Sequence, residues 1–221
     1  MTDGGSEAQE APGARIADRL REQRLVAIVR GHGATPEAVL STVVTLVEEG
    51  VGLVEVSLTT PGALSAISRA RQEVGGRARV GAGTVLSAED ARRAADAGAQ
   101  FLLSPGLPDD LADVLAVGLD TVVGAFTPSE VGRALRAGAD AVKVFPVDAV
   151  GAGYLRSLLG PFPGACLVAV GGVRLESCAA LLAAGAAAVG VGSPLVGDAA
   201  DGGDLGALRE RARAYRAAVT S

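Results

Sequence analysis

Cysteine, histidine, lysine and tryptophan are nearly missing from this chain, and each scarcity removes a class of protein. Among 221 residues there are two cysteines, one histidine and no tryptophan. Cys166 and Cys178 have no C-x-x-C spacing and no ligand cluster beside them, and a chain this long needs no disulfide staples. Both read as small buried hydrophobes. The lone His32, in Arg30-Gly31-His32-Gly33, lacks partners at metal-ligand spacing and reads as a surface loop residue. No metal and no cofactor is therefore expected. A net charge of −5 leaves no basic field to hold a nucleic-acid backbone or an anionic bilayer. There is no apolar run of eighteen residues, and the first residues lack the basic-then-apolar order of an export signal. A cytoplasmic protein acting on small molecules is the expectation.

What remains is an aliphatic chain, 49% hydrophobic but only 3% aromatic, so the core must be made of Ala, Val and Leu. Residues 1–13 are too polar to bury a face and are expected to form a disordered tail, leaving residues 14–221 as one domain. Ile16 and Leu20, four apart among charges, predict an amphipathic helix that plugs one end of the fold. A unit then repeats: apolar run, Gly- or Pro-bearing turn, Ala-rich helix. The runs span 25–29, 53–58, 79–83, 101–104, 121–125, 141–145, 166–170 and 187–191. Glycines at positions 50, 98, 118, 138 and 185 stand where helix C-caps are wanted, and Thr35, Ser87 and Thr127 stand at helix starts. Eight strand-helix units predict a parallel sheet closed into a (β/α)8 TIM barrel rather than an open doubly wound sheet. No G-x-G-x-x-G follows the first run. In such a barrel, chemistry belongs at the C-terminal ends of the strands.

Lys143 is the only lysine, against nineteen arginines, and it lies mid-strand in Ala141-Val142-Lys143-Val144-Phe145. Arginine serves wherever a generic positive charge is wanted. It cannot attack a carbonyl, whereas a desolvated lysine amine can, so Lys143 is a candidate nucleophile. A structural lysine meeting a carboxylate is the alternative. In Leu53-Val54-Glu55-Val56-Ser57, alternation puts Glu55 and Ser57 on one face. If that face is the lumen, Glu55 comes near Lys143 and is a candidate proton carrier, or else simply its salt-bridge partner. Gly171-Gly172 and Gly192-Ser193, after the last two strands, could let backbone amides approach a phosphate, or could be plain tight turns. No G-x-S-x-G elbow is present.

Taken together, Val54-Glu55-Val56, Val80-Gly81-Ala82-Gly83-Thr84-Val85-Leu86, Ser104-Pro105-Gly106, Val142-Lys143-Val144-Phe145-Pro146, Val170-Gly171-Gly172-Val173 and Gly192-Ser193 are similar to a known family. From about Arg24 to Ser193 the chain resembles the 2-keto-3-deoxy-6-phosphogluconate aldolases and the related 6-phosphogalactonate and 4-hydroxy-2-oxoglutarate aldolases. The resemblance implies a class I aldolase in which Lys143 forms an imine with pyruvate and Glu55 moves protons by way of water. It implies that Thr84, Pro105, Phe145 and Thr59 belong to the substrate pocket, and that Gly171, Gly172, Gly192 and Ser193 hold a phosphate. A homotrimer is implied as well. Gluconate-type members usually read Leu-Arg-Thr where this chain has Leu58-Thr59-Thr60. Galactonate-type members carry an arginine after the first strand, matched here by Arg30, which would then take the substrate carboxylate; Val170 also fits that branch, while Ser104-Pro105-Gly106-Leu107 is closer to the gluconate one. Two other readings stay open: a phosphosugar isomerase or epimerase with Glu55 as base, and a non-catalytic phosphometabolite-binding barrel.

Overall fold

The computed structural model describes residues 15–220; the tail expected over residues 1–13 lies outside them. Helix α1 (Ile16–Gln23) precedes β1 (Leu25–Val29), and the strand-helix alternation then runs α2 (Pro36–Glu48), β2 (Leu53–Ser57), α3 (Ala63–Val74), β3 (Arg79–Gly83), α4 (Ala88–Asp96), β4 (Phe101–Leu103), α5 (Leu111–Leu115), β5 (Asp120–Ala125), α6 (Pro128–Ala137), β6 (Ala141–Val144), α7 (Gly151–Leu159), β7 (Leu167–Val170), α8 (Cys178–Ala183), β8 (Ala188–Val191), α9 (Ser193–Val196) and α10 (Leu205–Thr220). Among the described residues the eight strands are all parallel and close in order, with β1 beside β8. Each predicted run coincides with a strand to within a residue at either end.

Two cores follow from strand alternation. Residues such as Val54, Val56, Val142 and Val144 point outward and pack under the helices. Their neighbours point inward, and Val26, Leu53, Phe101, Leu103, Val122, Ala141 and Val168 fill the lumen together with Ile16 and Leu20 of α1. The amphipathic spacing of α1 thus buries those two side chains against the lower end of the barrel. Its first backbone N–H donates to Asp120 Oδ2 at 3.0 Å, and the same carboxylate pairs with Arg79 at 2.8 Å. The helix is held by polar contacts at its start and apolar ones along its face.

The caps form as their residue types require. Thr35 Oγ1 and Ser87 Oγ accept from the N–H groups of Ala38 and Asp90. Thr127 and Glu130 build a reciprocal capping box at α6, which ends on Gly138 with φ 98°, a conformation a side chain would strain. Both cysteines are free and buried. Burial raises both thiols above their ordinary range, as expected for inert core residues. No helix of the described residues is long and apolar enough to cross a membrane.

Candidate functional site

The inward face of β2 carries Leu53, Glu55 and Ser57, and that of β6 carries Ala141 and Lys143, as alternation requires once Leu53 and Ala141 are found in the lumen. Glu55 is 1% exposed and Lys143 5% exposed, both toward the C-terminal end of the barrel. The structural alternative for Lys143, a tight ion pair, is not what the geometry shows. Among the described residues no hydrogen bond or salt bridge within 4 Å joins Lys143 to a carboxylate, and neither Glu55 oxygen has a hydrogen-bond partner. Glu55 is nonetheless pushed above the usual carboxylate range, because burial penalises its charge more than Lys143 and then Arg30 favour it. The Lys143 Nζ sits 5.1 Å from the centroid of the Phe145 ring.

Glycine makes room for this arrangement. A Cβ on Gly83, which pairs in register with Ser57 on the inward face of β3, would overlap the Glu55 carboxylate. One on Gly81 would enter the Phe101 ring, and one on Gly124 would meet the Pro105–Gly106 backbone at 2.3 Å. The loop after β4 therefore leans over β5, where Gly124 N–H donates to Ser104 Oγ at 2.9 Å. The sequence signal was present: Gly81 and Gly83 are two apart, hence on one face of a strand, where no turn would ask for glycine.

Above Glu55 lies a hydroxyl network centred on Ser57. Its Oγ is 2.8 Å from Thr59 Oγ1 and 2.8 Å from Thr84 Oγ1, and it accepts from Arg30 Nε at 3.3 Å. Arg30 also reaches Thr84 Oγ1 at 3.4 Å. Thr84 adopts φ 59°, unusual for a branched side chain, directly after β3. The positive φ of Thr84 and the central place of Ser57 have no local signature in the sequence, where Ser57 shows only as a face-mate of Glu55.

A cavity of about 380 Å³ opens at this end of the barrel. Lys143 lies in it with Arg30, Pro105 and Phe145, and Gly171, Gly172, Gly192 and Ser193 line it from the loops after β7 and β8. Glu55, Thr59 and Thr84 are not on its wall; they join the site through burial beneath it and through the Ser57 network. His32 adds to the sequence reading. Its loop is exposed, as anticipated, yet the residue lines the same cavity, along with Asp201 from the turn Ala199–Asp201. No cluster of three or more His, Cys, Asp or Glu side chains able to hold a metal occurs among the described residues. The cavity wall offers the Lys143 amine, the Arg30 guanidinium, the His32 imidazole and the Asp201 carboxylate, with the buried Glu55 carboxyl group beneath them.

The family model described as KDPG and KHG aldolase matches residues 16–209. The 2-dehydro-3-deoxy-6-phosphogalactonate aldolase of Escherichia coli is 35% identical over 173 residues, covering 77% of this chain and 83% of that protein. The 2-dehydro-3-deoxy-phosphogluconate aldolase of Treponema pallidum is 35% identical over 168 residues, covering 75% of this chain and 77% of its own. Among solved structures, a KDPG aldolase from Legionella pneumophila, with pyruvate captured as a covalent carbinolamine, superposes with a TM-score of 0.82 at 25% identity, over 91% of this chain and 98% of that one.

Proposed function

The chain belongs to the KDPG and KHG aldolase family, and from that footing we propose that Lys143 is its imine-forming amine and Glu55 its proton carrier. The activity is that of a class I aldolase, a lyase that reversibly cleaves a 2-keto-3-deoxy-6-phospho sugar acid of the phosphogluconate or phosphogalactonate type to pyruvate and glyceraldehyde 3-phosphate. Membership of an aldolase family sets aside the isomerase and the non-catalytic readings. Cleavage of 4-hydroxy-2-oxoglutarate to pyruvate and glyoxylate is a further reaction we propose for the same site.

The observation that carries the residue assignment is a buried lysine facing a small-molecule cavity with no carboxylate bound to it. Lys143 Nζ attacks the C2 carbonyl to give a carbinolamine, which loses water to form a protonated imine. The imine withdraws the C3–C4 bonding pair, leaving an enamine, while the proton of the C4 hydroxyl passes through a water molecule to the Glu55 carboxylate and the aldehyde departs. The proton returns to C3, and hydrolysis releases pyruvate and the free amine. A carboxyl group whose proton affinity is raised by burial is suited to both directions of transfer. Arg30 pairs with the keto-acid carboxylate, a bidentate role its planar fork fits. Pro105 borders the substrate, Thr84 and Thr59 join the substrate site through the Ser57 and Arg30 network, and Phe145 shields the amine. Gly171, Gly172, Gly192 and Ser193 seat the phosphate.

Pyruvate release from either phosphorylated substrate, followed with a coupled dehydrogenase, tests the assignment. Lys143→Met should abolish turnover with the fold kept; turnover within tenfold of wild type would remove Lys143 from the mechanism. We further propose a cytoplasmic homotrimer, supported by the sequence resemblance. Sedimentation equilibrium should return three times the chain mass of 21.9 kDa, and a monomer mass would contradict it.

A further inference from the structure

Four residues on the cavity wall carry side-chain hydrogen-bond donors: Arg30, His32, Lys143 and Ser193. Two of them are committed to the keto-acid end, Lys143 as the amine and Arg30 through its bonds to Ser57 and Thr84. His32 and Ser193 remain, and they share one side of the cavity, because β1 and β8 are neighbours in the barrel, His32 stands in the loop after β1 and Ser193 begins α9 just after β8. The loop carrying His32 is held firmly. The N–H groups of His32 and Gly33 both donate to Asp201 Oδ1, at 2.8 and 2.9 Å, and Gly31 N–H donates to Thr60 Oγ1 at 3.2 Å. Gly31 itself is hemmed in: a Cβ there would come within 2.5 Å of the Ala34 side chain and 2.8 Å of Asp201 Oδ1. Asp201 thus spends a carboxylate oxygen on the loop backbone. An exposed residue on the cavity wall is thus presented by a tethered loop, the way binding residues are commonly held.

We propose that His32 is a specificity-determining residue for the phosphorylated end of the substrate, its imidazole donating a hydrogen bond to the phosphate beside Gly192 and Ser193, with Asp201 as the positioning residue of its loop. The proposal rests on the reading of this cavity as a phosphosubstrate site. It gives a reason for the chain's single histidine to stand in a tethered loop after β1, on the side of the cavity that also carries Gly192 and Ser193. Losing one hydrogen bond to a charged group weakens binding by about tenfold or more.

The test is steady-state kinetics of wild type, His32→Ala and His32→Gln on a 2-keto-3-deoxy-6-phospho sugar acid and on its unphosphorylated counterpart. For His32→Ala we expect KM on the phosphorylated substrate to rise about tenfold or more, with kcat within twofold and with KM on the unphosphorylated substrate unchanged. His32→Gln, which keeps a donor, should recover much of the loss. An equal rise in KM on both substrates, or no rise on either, would overturn the proposal while leaving the phosphate seat standing. If wild type itself does not distinguish the two substrates, the phosphate seat falls, and the role of His32 with it.

Discussion

A carboxylic acid sealed into an aliphatic barrel without a hydrogen bond costs stability in its ionised form, and Glu55 is such a group. Because burial raises its proton affinity in the folded state, the folded protein holds the proton over a pH range where the unfolded chain has released it. Its contribution to stability is therefore full below the ordinary carboxylate range and is lost as pH rises through the folded value. Glu55→Gln should be more stable than wild type at neutral pH, with the gap closing as pH falls below about 4; chemical denaturation at several pH values measures it. The same variant should lose about 10²–10⁴-fold in turnover while still forming the imine. A Glu55→Gln protein with near-wild-type kinetics and unchanged stability would show that this carboxyl group neither carries the proton nor strains the fold. Gly83→Ala tests the geometry from the other side, since the added methyl must displace the Glu55 carboxylate. Its turnover should fall by about tenfold or more with imine formation retained, as displacement of a general acid-base group requires. Unchanged kinetics would show that the close approach is unimportant.

At the level of elements, residue type decided more than hydropathy did. Thr127 caps α6 while Glu130 accepts from the N–H groups of Thr127 and Phe126, and these bonds, that of Thr127 first, hold the Glu130 carboxyl below its usual range. Thr127→Ala should cost about 1 kcal/mol, read as a shift in denaturation midpoint at constant slope; no shift would mean the box contributes nothing. The helix starts, the glycine stops and the eight strands could all be read from the chain, because each is fixed by local chemistry within a few residues. The plug helix was legible for a related reason, Ile16 and Leu20 being one turn apart. What could not be read was contact between distant elements. The tether of His32 to Asp201 spans 169 residues, so no local pattern announces that a loop histidine lines the cavity. The lean of the Ser104–Gly106 loop over Gly124, and the positive φ of Thr84, belong to the same class.

Over the whole molecule, barrel closure is what turns two separate strand positions into one site. Glu55 and Lys143 lie on strands four places apart in the ring, which makes them face each other across the lumen, close enough for charge to be felt and without a direct bond. Periodicity placed each side chain on the right face, and closure placed the faces opposite one another. The sequence allows both a catalytic pair and a plain salt bridge; among the described residues no ion pair joins Lys143 to a carboxylate, and the cavity above it supports the catalytic reading proposed above. The sole lysine also simplifies the decisive test. Treating the protein with pyruvate and borohydride should attach one reduced pyruvate per chain, and because trypsin does not cut at an alkylated lysine, the adduct should reside on an uncut peptide spanning residues 137–156. Trypsin cleavage after an unmodified Lys143, with no pyruvate-derived mass on that stretch, would contradict an imine at this amine.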